Sequence, residues 1–177
     1  MRTGVRTTLG ATVLSLLKKD ESAVEIYTSC VGKDQAVCSD SGPTIVLSFQ
    51  RRQKTRQRAR TQSGQEITIM LPRGTLMRGS DSLVSEQGHV VQVVAASERV
   101  STVVSNNAED LVKAAYHLGN RHVAVQVGLG WLRYLQDHVL DSMLRELGLE
   151  PEAQWAPFEP ESGAYGAHAH SHVHASA

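Results

Sequence analysis

Apolar and polar positions alternate along much of the middle of this chain and then change to a helical period, and that change divides the molecule. Residues 1–43 show no sustained pattern beyond a short apolar run that predicts a helix over 12–19, and they end at the Ser41-Gly42-Pro43 breaker. Thr44–Phe49 is mostly apolar and β-branched, and in RRQKTRQRAR (51–60) Arg56, Arg58 and Arg60 alternate with polar or small residues. Both stretches predict strands. Turn signals at Ser63-Gly64-Gln65, Pro72-Arg73-Gly74 and Gln87-Gly88 separate further strands at 66–70, 81–85 and 89–95. Short strands at this spacing predict an all-β unit over 44–97.

The period changes after Arg99. Val100–Ser105 reads as a strand, Asn106-Asn107 offers an N-cap, and Leu111, Ala115 and Leu118 stand at i, i+4 and i+7 of an amphipathic helix. Gly119-Asn120 is placed to close that helix in the left-handed conformation both residues tolerate. His122–Val127 then predicts a strand, Gly128–Gly130 a turn, and Trp131–Leu135 another strand. Asp137 can cap a second helix whose buried stripe is Val139 or Leu140, Met143 or Leu144, and Leu147, with Gly148 and Pro151 as stops. Glu152–Phe158 completes β-α-β-β-α-β over 98–159, the split βαβ order of ferredoxin-like domains. The expected fold class is therefore α+β: an unassigned N-terminal extension at 1–43, a β-rich domain at 44–97, a ferredoxin-like domain at 98–159, and a tail at 160–177 too small and polar in its side chains to build a core.

With 177 residues, 41% apolar and 20% charged, the chain is long enough to bury real cores and too apolar for a disordered one. No stretch approaches the roughly 18 continuous apolar residues of a membrane span. It reads as a soluble protein. The formal net charge of +0 hides an asymmetry: residues 45–105 carry nine basic against four acidic side chains, and residues 106–177 carry four against nine. Seven of the eight histidines lie in the acidic part, which pools the nitrogen and oxygen ligands that divalent transition metals accept. Cys30 and Cys38, the only cysteines, have a spacing that fits neither a redox pair nor a zinc framework. The basic, partly apolar start lacks a small-residue cleavage site before KKDE, so the expected location is the reducing cytoplasm.

The candidate chemistry is metal binding. His168, His170, His172 and His174 occupy every second position of the tail, and neutral imidazole is a good ligand for nickel, copper and zinc. His122 stands at an element boundary; one imidazole binds metal weakly, but pairing about a twofold axis would duplicate it. Asp137 and His138 stand at the second helix's N-terminus, where the macrodipole favours the neutral, metal-ready ring, although Asp137 also reads simply as a cap. The basic stretch 51–60 admits a nucleic-acid-binding module or an acidic partner protein; stacking aromatics, which nucleic-acid binding would add, are missing from it. Serine-elbow, zinc-protease and phosphate-loop motifs are all missing from the sequence, which points away from an enzyme.

Three stretches carry a resemblance: YHLGNRHVAVQV (116–127), DHVLDSML (137–144) and APFEPESGAYG (156–166), supported by LPRGTLMRGSDSL (71–83) and the arginine-alternating strand before it. Together, and followed by a histidine-bearing tail, they resemble the UreE urease accessory proteins over about 45–177. That resemblance implies a nickel metallochaperone for urease maturation, a homodimer with His122 of both subunits as central ligands, and tail histidines that gather Ni(II). It implies a peripheral metal position at Asp137 and His138, preceded here by Gln136 where some members carry histidine. The first domain would resemble the peptide-binding unit of Hsp40 chaperones, and the partners implied are the urease GTPase accessory protein and the apo-urease assembly complex. Cu(II) and Zn(II) are expected competitors. A general histidine-rich nickel or zinc buffer is the alternative that would need the tail but no defined site.

Overall fold

The computed structural model describes residues 24–35 and 42–162. Six strands, Glu25–Val31 (β1), Thr44–Leu47 (β2), Arg56–Arg60 (β3), Glu66–Met70 (β4), Ser82–Ser85 (β5) and Val90–Ala95 (β6), form one sheet in the order β2-β6-β5-β1-β4-β3. Alternation builds it: Ile45 and Leu47, Ile67 and Ile69, and Val91 and Val93 are buried while the residues between them are not. With Tyr27, Leu71, Met77 and Leu83 they make the core of this half. β1 runs parallel to β4, and β2 parallel to β6.

Two features depart from the expected pattern. β1, for which the residue pattern predicts nothing, lies between β5 and β4 near the middle of the sheet. Its period is broken, because the register against β5 shifts between Tyr27 and Ser29 and the apolar Ile26 is exposed. The strand expected over Thr44–Phe49 stops at Leu47, where the Ser48 hydroxyl accepts from Arg51 N and starts a one-turn helix, Phe49–Arg52 (α1). Arg51 and Arg52 thereby leave the expected basic strand. The helix expected over 12–19 lies outside the described residues.

The second sheet follows the expected order: Ser97–Val104 (β7), Ala108–Gly119 (α2), Gln126–Gly128 (β8), Trp131–Leu135 (β9), His138–Glu146 (α3) and Glu152–Pro157 (β10). Its strands pair antiparallel as β10-β7-β9-β8, the ferredoxin-like arrangement. Asn107 caps α2 by accepting from Glu109 N, and Asp137 caps α3 by accepting from Val139 N and Leu140 N. Ala114, Leu118 and Leu144 pack against Val103, Leu132 and Tyr134. The stripe of α3 holds at Leu140, Met143 and Leu144, which reach the core, but not at Leu147, which is exposed together with Val139, the alternative to Leu140. α3 also buries a carboxyl, Asp141, which accepts a 2.6 Å hydrogen bond from Tyr134 Oη. Burial and then the Asp141 carboxylate push the Tyr134 phenol above its ordinary range, so it remains a donor.

The halves meet where Phe49 of α1 packs edge-on against Phe158, with ring centroids 5.3 Å apart, beside Val100. Among the described residues no helix is long and apolar enough to cross a membrane.

Candidate metal centre

The ends of the two long helices are built alike. α2 closes with His122 N donating to Gly119 O at 2.9 Å and Val123 N to Leu118 O at 3.1 Å. α3 closes with Gly148 N donating to Arg145 O at 2.9 Å and Leu149 N to Leu144 O at 3.0 Å. Both are Schellman closures, which need one residue in the left-handed conformation. In α3 that residue is Gly148, with φ 81°; in α2 it is His122, with φ 57°. The expectation that Gly119 or Asn120 takes this role is corrected, since Gly119 stays in the helix and Asn120 has φ −63°. The strand expected over His122–Val127 contracts for the same reason: the closure and a loop occupy 120–125, and β8 begins at Gln126. A side chain in the left-handed region costs about 1–2 kcal/mol that glycine avoids.

The imidazole held there is exposed. It stands at the C-terminal end of α2, where unpaired carbonyls carry partial negative charge and favour a cation. One and two turns back from the end of α2, Tyr116 and Val112 are 64% and 67% exposed. Among the described residues no three His, Cys, Asp or Glu side chains gather as a metal-holding group.

His138 opens α3 and is exposed beside Asp137. Asp137 Oδ1 accepts from Val139 N at 2.8 Å and from Leu140 N at 3.3 Å, so the carboxylate works as a helix cap. Gln136 Oε1 accepts from Arg99 Nε at 2.5 Å. His168, His170, His172 and His174 lie outside the described residues, as does Cys38. Cys30 is half-buried with its thiol toward Asp81, and burial followed by the Asp81 carboxylate pushes it up to about 12. It stays protonated and is a poor metal ligand at neutral pH.

The basic stretch resolves into separate tasks. Arg56, Arg58 and Arg60 are exposed on β3, with Arg60 paired to Glu66 at 2.7 Å. Arg52, in contrast, is fully buried and donates to Glu159 Oε1 at 2.7 Å. Residue pattern alone does not single out Arg52 or Glu159, because Arg52 stands in a basic run that reads as surface.

Models of the N-terminal and C-terminal domains of UreE urease accessory protein match residues 31–96 and 98–177. The chain is 52% identical over 132 residues to the urease accessory protein UreE of Alkalilimnicola ehrlichii, covering 75% of this chain and 80% of that one. It is 53% identical over 129 residues to the UreE of a Pseudomonas putida strain, covering 72% and 80%. With the UreE of Nitrosospira multiformis it shares 45% identity over 128 residues, covering 72% and 73%. Two adjacent domain matches, on a sheet pair whose second half is ferredoxin-like and presents an exposed histidine at a helix end, establish that this chain belongs to the UreE family of urease accessory proteins.

Proposed function

We propose that this UreE-family protein carries Ni(II) and hands it on for assembly of the urease active site, catalysing no reaction itself. The supporting observation is His122 in a helix-closing position that the same fold fills with Gly148 in α3. Strain of this kind persists where a side chain is needed at that point. Pairing of two copies through the apolar surface of Val112 and Tyr116 brings the two His122 rings together as a ligand pair on a twofold axis. Two imidazoles leave coordination positions open, and open positions permit the ligand exchange that delivery requires.

In this reading His168, His170, His172 and His174 collect ions for the central pair, and Asp137 with His138 forms a weaker peripheral position. The receiving partners are the urease GTPase accessory protein and, through it, apo-urease, in the cytoplasm. The first domain serves as a peptide-docking unit. Cu(II) binds such nitrogen donors more tightly than Ni(II), and Zn(II) competes, so selectivity comes from the partners and from metal supply.

Calorimetric nickel titration of the full chain, of a chain ending at residue 162 and of His122→Ala tests the reading. It expects about one tightly held ion per two chains, lost in His122→Ala and retained in the shortened chain. Tight binding that vanishes with the tail and ignores His122→Ala would show a histidine-rich buffer instead.

A further inference from the structure

Beyond β10 the chain does not leave the fold at once. Residues 158–162 pass as a strap between the two halves, and one carboxylate organises it. Glu159 Oε1 accepts from Arg52 Nη1 at 2.7 Å and from Gly79 N at 2.7 Å, and Arg78 Nη1 approaches Glu159 Oε2 at 3.5 Å. The same guanidinium groups hold the rest of the strap: Arg52 donates to the backbone at Phe158 O, and Arg78 to the backbone at Pro160 O at 2.5 Å and to the Ser162 hydroxyl at 2.7 Å. A Cβ at Gly79 would stand 2.7 Å from Glu159 Oε1 and 3.2 Å from Ala95 Cβ, so the carboxylate occupies space that only glycine leaves. Arg52 Nε is buried without a partner, so the arrangement persists despite an unmet donor.

The other flank of the strap holds the loop after His122. Glu161 N donates to Val125 O at 2.9 Å, and Glu159 N donates to Gln126 Oε1 at 3.0 Å. Between the closure of α2 at Val123 and the start of β8 at Gln126 the loop has no strand partner of its own. Its backbone is tied through the strap to α1 and to residues 78 and 79 of the first half.

We propose that Glu159 is a positioning residue for His122: its carboxylate, fixed by Arg52, Arg78 and the Gly79 N–H, holds the strap that fixes the loop following the metal-binding histidine. This rests on the proposed role of His122, and the test separates the two. Amide hydrogen exchange of the metal-free full chain is compared with nickel affinity in Glu159→Ala, Glu159→Gln, Arg78→Ala, Arg78→Lys and His122→Ala. Exchange across 122–126 is expected to accelerate at least tenfold in Glu159→Ala and Arg78→Ala, with β7 and α3 protection unchanged, and tight nickel binding to weaken about tenfold in step. Glu159→Gln, which keeps an acceptor for Gly79 N–H, and Arg78→Lys should recover part of both. Arg78 is partly exposed, so its removal strands no buried charge, and it decides the matter should Glu159→Ala not fold. Unchanged loop exchange or unchanged nickel affinity in Arg78→Ala overturns the inference while His122 keeps its role. Unchanged nickel binding in His122→Ala overturns both.

Discussion

His122 is held against its own backbone preference, and glycine at that position would relieve the cost. His122→Gly is expected to raise the unfolding free energy of the metal-free protein by about 1 kcal/mol in urea titration, while losing tight nickel binding. A variant no more stable than its parent would place the cost elsewhere. That His122 stands at an element boundary was legible from the Gly119-Asn120 pair shortly before it. Its conformation was not, because which residue turns left-handed depends on where the last helical hydrogen bond closes, and Gly119 and Asn120 are equally able on paper. A second residue-scale prediction concerns Glu25, whose Oε1 lies 2.5 Å from His89 Nδ1. Burial pushes its carboxyl up, but hydrogen bonds from Ser85 and His89, the His89 charge and Tyr27 outweigh this and hold it below the ordinary 4.5. A carboxyl more acidic when folded adds stability that is complete above its unfolded value and is lost as pH falls through the folded one. Thermal stability should therefore decline on acidification below pH 4.5, and Glu25→Gln should flatten that decline in scanning calorimetry.

Helix starts and stops were readable at the level of elements because caps are local chemistry: Asn107, Asp137 and Gly148 perform the tasks their types predict. Asp137 also permits a separation of roles. Asp137→Asn keeps a good cap and removes the charge, whereas Asp137→Ala costs about 1 kcal/mol. A cap-only residue predicts unchanged nickel stoichiometry in Asp137→Asn, and loss of a weak ion there would assign it to the peripheral position. Less readable was the inner face of α3, where Asp141 is buried beside the apolar stripe of Leu140, Met143 and Leu144. Tyr134→Phe leaves that buried carboxylate without its donor and is expected to cost about 1–3 kcal/mol in denaturant unfolding; a neutral result would mean another donor takes over. β1 escaped notice because a bulge and an exposed Ile26 break its period.

Across the whole molecule, the two halves are joined by Phe49 against Phe158 and by Arg52 against Glu159. Arg52→Ala is expected to cost about 3–5 kcal/mol, because it removes three hydrogen bonds to Met77, Phe158 and Glu159 at once. Calorimetry should then show the two halves melting apart, and a single transition at the parental temperature would contradict the role given to this pair. Most of the second domain's architecture was determined by sequence alone, because a helical period, caps and turns act over a few residues and repeat with a recognisable spacing. The family likeness was equally available there, carried by contiguous residues around His122 and Asp137. Only the tertiary structure decided that Arg52 is buried rather than one more surface arginine, that β1 completes the first sheet, and that Glu159 is joined to residues 78 and 79. Each of these depends on groups far apart in the chain, and a charge reveals no burial until the partner that compensates its desolvation has been brought beside it.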